Sequence, residues 1–229
     1  MIDRYKRLAP LSGVLMVAAI VVLLTLPSTP DSTASGAKVI AFYRHHHTAI
    51  YVAGALSAYA GAVAVLYFSS VASYLRSRGS DLLATTTVVG GAILGAGLMI
   101  AAGAIFAAND GPQHFGVDEA RALNVLQNNL FIPVMLGGLT IATLSMGVAM
   151  LRTKALPAAL GVITVIVGVV GLSGIVSWFG FLASGPLTLV IAGYVYQRLG
   201  QPASIALPDI PAARTSTEKA VSAKQKASS

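Results

Sequence analysis

Residues 155–197 read ALPAALGVITVIVGVVGLSGIVSWFGFLASGPLTLVIAGYVYQ, 43 positions without an Asp, Glu, Lys, Arg or His. As one helix this stretch would reach about 65 Å, twice the roughly 30 Å of hydrocarbon in a bilayer. It must therefore fold back as a hairpin of two membrane helices. Ser173, Gly174, Ser177 and Gly180 mark the turn, near Ser177. A turn at Ser184, Gly185 and Pro186 is the alternative, but it leaves the second helix too short to span.

Working outward, four further uncharged stretches have spanning length: 11–26, 49–75, 83–108 and 129–151. The spacing predicts spans at about 8–26, 49–75, 83–108, 129–151, 155–176 and 178–198. The composition agrees. Of 229 residues 55% are apolar and only 10% charged, against about 25% charged in a soluble domain. Mean hydropathy is +0.77. The expected fold class is all-α, a polytopic transmembrane six-helix bundle over 1–199, followed by a disordered basic cytoplasmic tail at 200–229.

Segment 1–26 also fits a cleaved signal peptide, with a basic start, an apolar run and small residues at 34–37. A retained helix is the preferred reading, because the polar stretch before any cleavage point is long.

Net charge is +7. On a soluble chain this would point to nucleic acid; here its distribution matters more. Lys and Arg collect on the cytoplasmic side of membrane proteins. With the N-terminus inside, twelve basic residues fall on the inner side, among them Arg76, Arg78, Arg152, Lys154 and Arg198. Only Lys38, Arg44 and Arg121 fall outside. Both termini are thus expected in the cytoplasm, and the protein in the plasma membrane. Most tyrosines and Trp178 sit near the span ends, at interfacial depth. Tyr59 is the exception, and its hydroxyl is expected to find a partner inside the bundle.

Short inner connections force their flanking helices antiparallel. The outer segments 27–48 and 109–128 are longer. Within the second, 118–126 reads as a helical extension of the fourth span, with Asp118 and Glu119 at its positive end. Pro133 is expected to kink that span.

Chemistry is sparse. There is no cysteine, which excludes disulfides and thiolate sites. No ionisable residue lies between the ends of any span, which argues against a proton-coupled carrier or haem held between helices. Neither a phosphate-binding Walker loop nor a GxSxG elbow occurs. The candidate metal ligands are His45, His47, His114 and Asp110, all on the outer face with His46, Asp118 and Glu119. Imidazole and carboxylate suit zinc, copper or nickel. Consecutive helical residues point about 100° apart, so His45, His46 and His47 cannot all converge. Weak or no zinc affinity is expected, with His114 near the outer end of the second span.

Gly91 and Gly95 form a GxxxG, and Gly161, Gly168 and Gly171 share one helical stripe. These are candidate helix-packing positions. The hydroxyls of Thr85, Thr86, Thr87, Thr140, Thr143 and Ser145 either line a polar path or bond back to their own helices.

Three stretches resemble a family of uncharacterised small six-helix membrane proteins of high-GC bacteria: Phe42, Tyr43 and Arg44 before the second span; RALN at 121–124; and LRTKALP at 151–157 with Leu160 and Gly161. The resemblance implies the membrane fold and no activity.

Three functions are thus in play. The first is a non-catalytic membrane protein, not an enzyme and without a cofactor, acting through lipids or partners. The bilayer is its first partner. Anionic lipids or a cytoplasmic protein at the basic tail are further ones. The second is a facilitator for a neutral or apolar small molecule. The third is an outer-face metal-dependent sensor or enzyme.

Overall fold

The computed structural model describes residues 8–111, 114, 116–173 and 177–200. The basic start at 1–7, Gly174 and the tail beyond Gly200 lie outside the described residues.

Every regular element described is helical. A short 3-10 turn, Ala9–Leu11, carries Pro10 where a missing N–H costs nothing. It leads into α1, Ser12–Thr25, which stops at extended Leu26 before Pro27. Then follow α2, Gly36–His45; α3, His47–Arg76; α4, Asp81–Asp110; α5, Val117–Leu126; a π-helical turn, Gln127–Phe131; α6, Ile132–Thr153; α7, Ala158–Leu172; and α8, Ser177–Gly200.

By length and composition, four helices can cross a membrane: His47–Arg76, Asp81–Asp110, the continuous run Val117–Thr153, and Ser177–Leu199. Two further apolar helices are shorter, Ala9–Thr25 and Ala158–Leu172. The second would rise only about 22 Å. Pro157 delays its start and Ser173 ends it, so it is seven residues shorter than the expected span 155–176. The outward surface is apolar, with Leu66, Val89, Ile100, Ile166, Leu182 and Val190 exposed. In water such a continuous face would be a liability; against lipid tails it is not.

The helices pack in a chain of neighbours: α1 on α3, α3 on α4, α4 on α6, α6 on α7. α8 adds Leu187, Ile191, Ala192 and Val195 to the same core. Lipid tails are as apolar as leucine, so close backbone approach must hold these helices together. Glycine provides it at three crossings. A Cβ on Gly61 would lie 2.7 Å from the Gly95 carbonyl oxygen, and one on Gly95 would lie 2.8 Å from that of Gly61. Gly90 and Gly138 meet likewise between α4 and α6, as do Gly147 and Gly161 between α6 and α7.

The connections between α3 and α4 and between α6 and α7 are tight. Gly79, with φ of 87°, turns the chain between α3 and α4, where a Cβ is disfavoured. Tyr74 donates its hydroxyl hydrogen to the Ala155 carbonyl at 2.9 Å, tying the end of α3 to the α6–α7 connection. Arg76 and Asp81 pair at 3.6 Å on the exposed surface, a contact of little energetic weight.

Four expectations need correction or refinement. Tyr59 is 46% exposed and faces outward. Buried positions on α3 follow 53, 57, 60, 64, 67, 71 and 75, and Tyr59 falls off that stripe while Tyr67 falls on it. Segment 27–48 is no irregular loop: Ser35 caps α2, its hydroxyl accepting from the Lys38 amide at 3.4 Å. The disturbance expected at Pro133 takes the form of the π-helical turn just before it. A proline lacks the N–H that the carbonyl four residues back requires, and i→i+5 bonding shifts the ladder past the gap. The alternative turn at 184–186 is excluded, because α8 runs through Pro186.

Candidate functional site

The histidines at 45–47 and 114 are the main candidates for chemistry. α2 ends at His45 and α3 begins at His47, with His46 between them at φ −109°, ψ 21°. The triplet is an elbow between two helices. His46 is half-buried against Phe42, ring centroids 4.8 Å apart, and His45 stands edge-on to His46 at 4.7 Å. His45 and His47 are exposed. Asp110 closes α4, and His114, also exposed, donates its amide to the Gly111 carbonyl at 2.7 Å. Among the described residues no three His, Asp or Glu side chains group closely enough to hold a metal ion.

The same end of the molecule holds a polar latch. α2 packs on α5 through Val39, Tyr43 and Ala120, a small apolar cluster that also takes in Ile50 of α3 and Ile105 of α4. A side chain on Gly36 would collide with the Val117 carbonyl, so the approach depends on glycine. Buried Asn124 donates to the Asp31 carbonyl at 2.7 Å. Asn128, one turn later, donates to the Asn124 carbonyl at 2.9 Å and to the Pro30 carbonyl at 3.3 Å. Two carboxamides on α5 and the π-helical turn thus pin the segment after α1. Tyr43 donates to Gln127 Oε1 at 3.3 Å, and burial pushes its phenol up to about 12. Hydrogen bonds from the Thr33 hydroxyl and amide hold the Asp31 carboxyl below its ordinary range.

Asn109, near the end of α4, is 2% exposed, and neither atom of its amide finds a partner among the described residues. Such a group is costly unless water reaches it. No pairing of nucleophile with base accompanies these amides, so the latch holds chain segments together and offers no visible chemistry of its own.

Within the bundle the hydroxyls are spent locally. Thr85, Thr86 and Thr87 donate to the carbonyls of Asp81, Leu82 and Leu83. Thr143, Ser145 and Thr164 do the same one turn back. Between helices, the Thr87 and Ser145 hydroxyls lie 3.0 Å apart. The glycines singled out by sequence each meet a neighbour. Gly91 faces the Phe68 ring, Gly95 faces Val65 and Gly61, Gly161 faces Leu151, and Gly168 faces Leu144.

Sequence reasoning missed the latch. Asn124 lies in the RALN stretch, and Asn128 follows at i+4, a spacing that puts both amides on one helical face. Their partners are main-chain carbonyls of a distant segment, which no local pattern reveals. Comparison with protein-family models, with curated proteins and with solved structures finds no match.

Proposed function

We propose that the chain is a six-span plasma-membrane protein with both termini in the cytoplasm, acting without catalysis through lipids or partners. The observation that carries this is the state of the polar groups inside the bundle. The hydroxyls of Thr87, Thr143, Ser145 and Thr164 are tied to their own helix carbonyls, and the helices touch backbone to backbone at glycine. No Asp, Glu, Lys, Arg or His lies inside the spans to build a proton relay. A small void beside Thr140, Thr143 and Ser177 has a volume of about 10 Å³, room for one water at most. The two short apolar helices serve as spans in this reading by packing on longer neighbours and letting the bilayer thin locally.

The orientation rests on the 12-to-3 division of basic residues. Arg214, Lys219, Lys224 and Lys226 in the tail would meet anionic headgroups on the same side. The likeness of three short stretches to uncharacterised six-helix membrane proteins fits this reading and adds no activity.

Alkaline extraction and reconstitution test it. The protein should stay in the membrane pellet at high pH. Vesicles containing it should pass glycerol and urea no faster than empty vesicles. Release into the supernatant would end the spanning reading, and accelerated solute entry would favour a facilitator.

A further inference from the structure

One face of α3 carries serine at helical spacing where it meets α1 and the end of α8. Ser69, Ser70, Ser73 and Ser77 line a groove of about 460 Å³ whose remaining wall includes Tyr74 and Leu199. A second groove, about 590 Å³, continues from it through the shared residues Ala9 and Leu66. Its walls, Leu11, Val14 and Leu15 among them, are almost wholly apolar. The two together run from an apolar groove edged by serine hydroxyls to one lined almost wholly by hydrocarbon. From Ser77 to Leu66 along α3 the rise is about 16 Å, close to half of the roughly 30 Å hydrocarbon thickness. The groove is therefore one leaflet deep.

The hydroxyl end opens among cations. The Arg78 guanidinium lies over the ring of Tyr74, 5.3 Å from its centroid, which holds the charge beside the groove. Arg198, exposed, precedes Leu199 in α8. Arg76 is already engaged by Asp81 and Thr85, so among the described residues Arg78 and Arg198 are charges on offer at this end. Ser70 and Ser77 donate back to the carbonyls of Tyr67 and Tyr74 at 2.7 Å and keep acceptor capacity. The side-chain hydroxyls of Ser69 and Ser73 make no hydrogen bond among the described residues, so they are available to ester and phosphate oxygens.

We infer that this groove holds one anionic phospholipid from the leaflet on the basic side. Its phosphate sits by Arg78 and Arg198, its ester region against Ser69 and Ser73, and one acyl chain along Leu66, Leu11 and Leu15. The inference rests on the spanning reading above. A second copy of the chain would cover the apolar half but would leave the arginines and free serines without a counterpart. A neutral lipid would leave the arginines unused.

The test uses the full chain, purified from membranes in mild detergent and titrated with phosphatidylglycerol or phosphatidylcholine under native mass spectrometry. The wild type should bind one phosphatidylglycerol in preference to phosphatidylcholine. Arg78→Gln should cut that preference about fivefold. Ser69→Leu with Ser73→Leu fills the groove from a lipid-facing surface, so it should abolish single-lipid retention while the lipid-free thermal midpoint stays put. Equal binding of both lipids, retention unaffected by the double substitution, or a dimer that excludes lipid would each overturn the inference. These outcomes are read on protein that has stayed in the alkaline-washed membrane pellet. Failure of the spanning reading shows earlier, as protein in the wash.

Discussion

Tyr67 fills the space that a side chain on Gly13 would need: a Cβ there would lie 2.6 Å from Tyr67 Cδ2 and 3.0 Å from the Thr188 methyl. One glycine on α1 thus joins α3 and α8. The Tyr67 ring is fully buried and stands edge-on to Phe68, 4.9 Å between centroids, so it has nowhere to retreat.

Gly13→Leu should therefore destabilise the protein by about 1–3 kcal/mol, the usual range for overpacking. Gly95→Leu should cost a similar amount, because its new Cβ would press on the Gly61 carbonyl. Thermal midpoints in detergent measure both. An unchanged midpoint for Gly13→Leu would mean that α1 is not docked on α3, as expected if the segment were a leader removed on maturation.

Thr87 and Ser145 offer a cleaner energetic question, since the single hydrogen of each hydroxyl can go either to its own helix or across to the other. A double-mutant cycle with Thr87→Ala and Ser145→Ala should return a coupling of about 0.6 kcal/mol, and no more than about 1.7. A larger value would mean that the pair carries more of the α4–α6 contact than the glycine crossing does.

The four long apolar helices were legible because a charge in hydrocarbon is so costly that its absence over about 20 residues is itself a signal. The glycine positions on α4 and α7 could be proposed as packing sites, but their partners could not. Nothing in the sequence says that Gly95 meets Gly61 rather than another of the 23 glycines. α2 was missed although Ser35 is an ordinary cap and 36, 39 and 43 are its buried positions. A ten-residue helix has weak local preference, and its stability comes from Tyr43 and Val39 packing against α5. Tyr59 was misplaced because it lies in an uncharged stretch where hydropathy does not distinguish lipid from protein.

Tyr43 makes a pH prediction. Burial raises its phenol from 10.0 to about 12, so the folded state favours the neutral ring. That contribution is fully present below pH 10 and is lost as pH rises toward 12. Tyr43→Phe should move alkaline loss of structure to higher pH while costing stability at neutral pH through the lost bond to Gln127. Circular dichroism across pH 9–12 compares the two proteins; coincident curves would contradict a buried phenol.

The histidine elbow predicts a weak response to metal. Zinc requires three or four ligands at about 2.0–2.2 Å, and among the described residues no three His, Asp or Glu side chains group closely enough to supply them. Calorimetric titration should show no submicromolar zinc site. Tight binding that disappears in His45→Ala or His114→Ala would show that the outer face rearranges around a metal.

The central claim is a membrane protein whose basic helix ends face the cytoplasm, and it is tested most directly by a reporter active only outside the cytoplasm. Fused after Thr33, the reporter should be active; fused after Ser229, it should be silent. Activity after Ser229 would contradict the even number of spans and the orientation together.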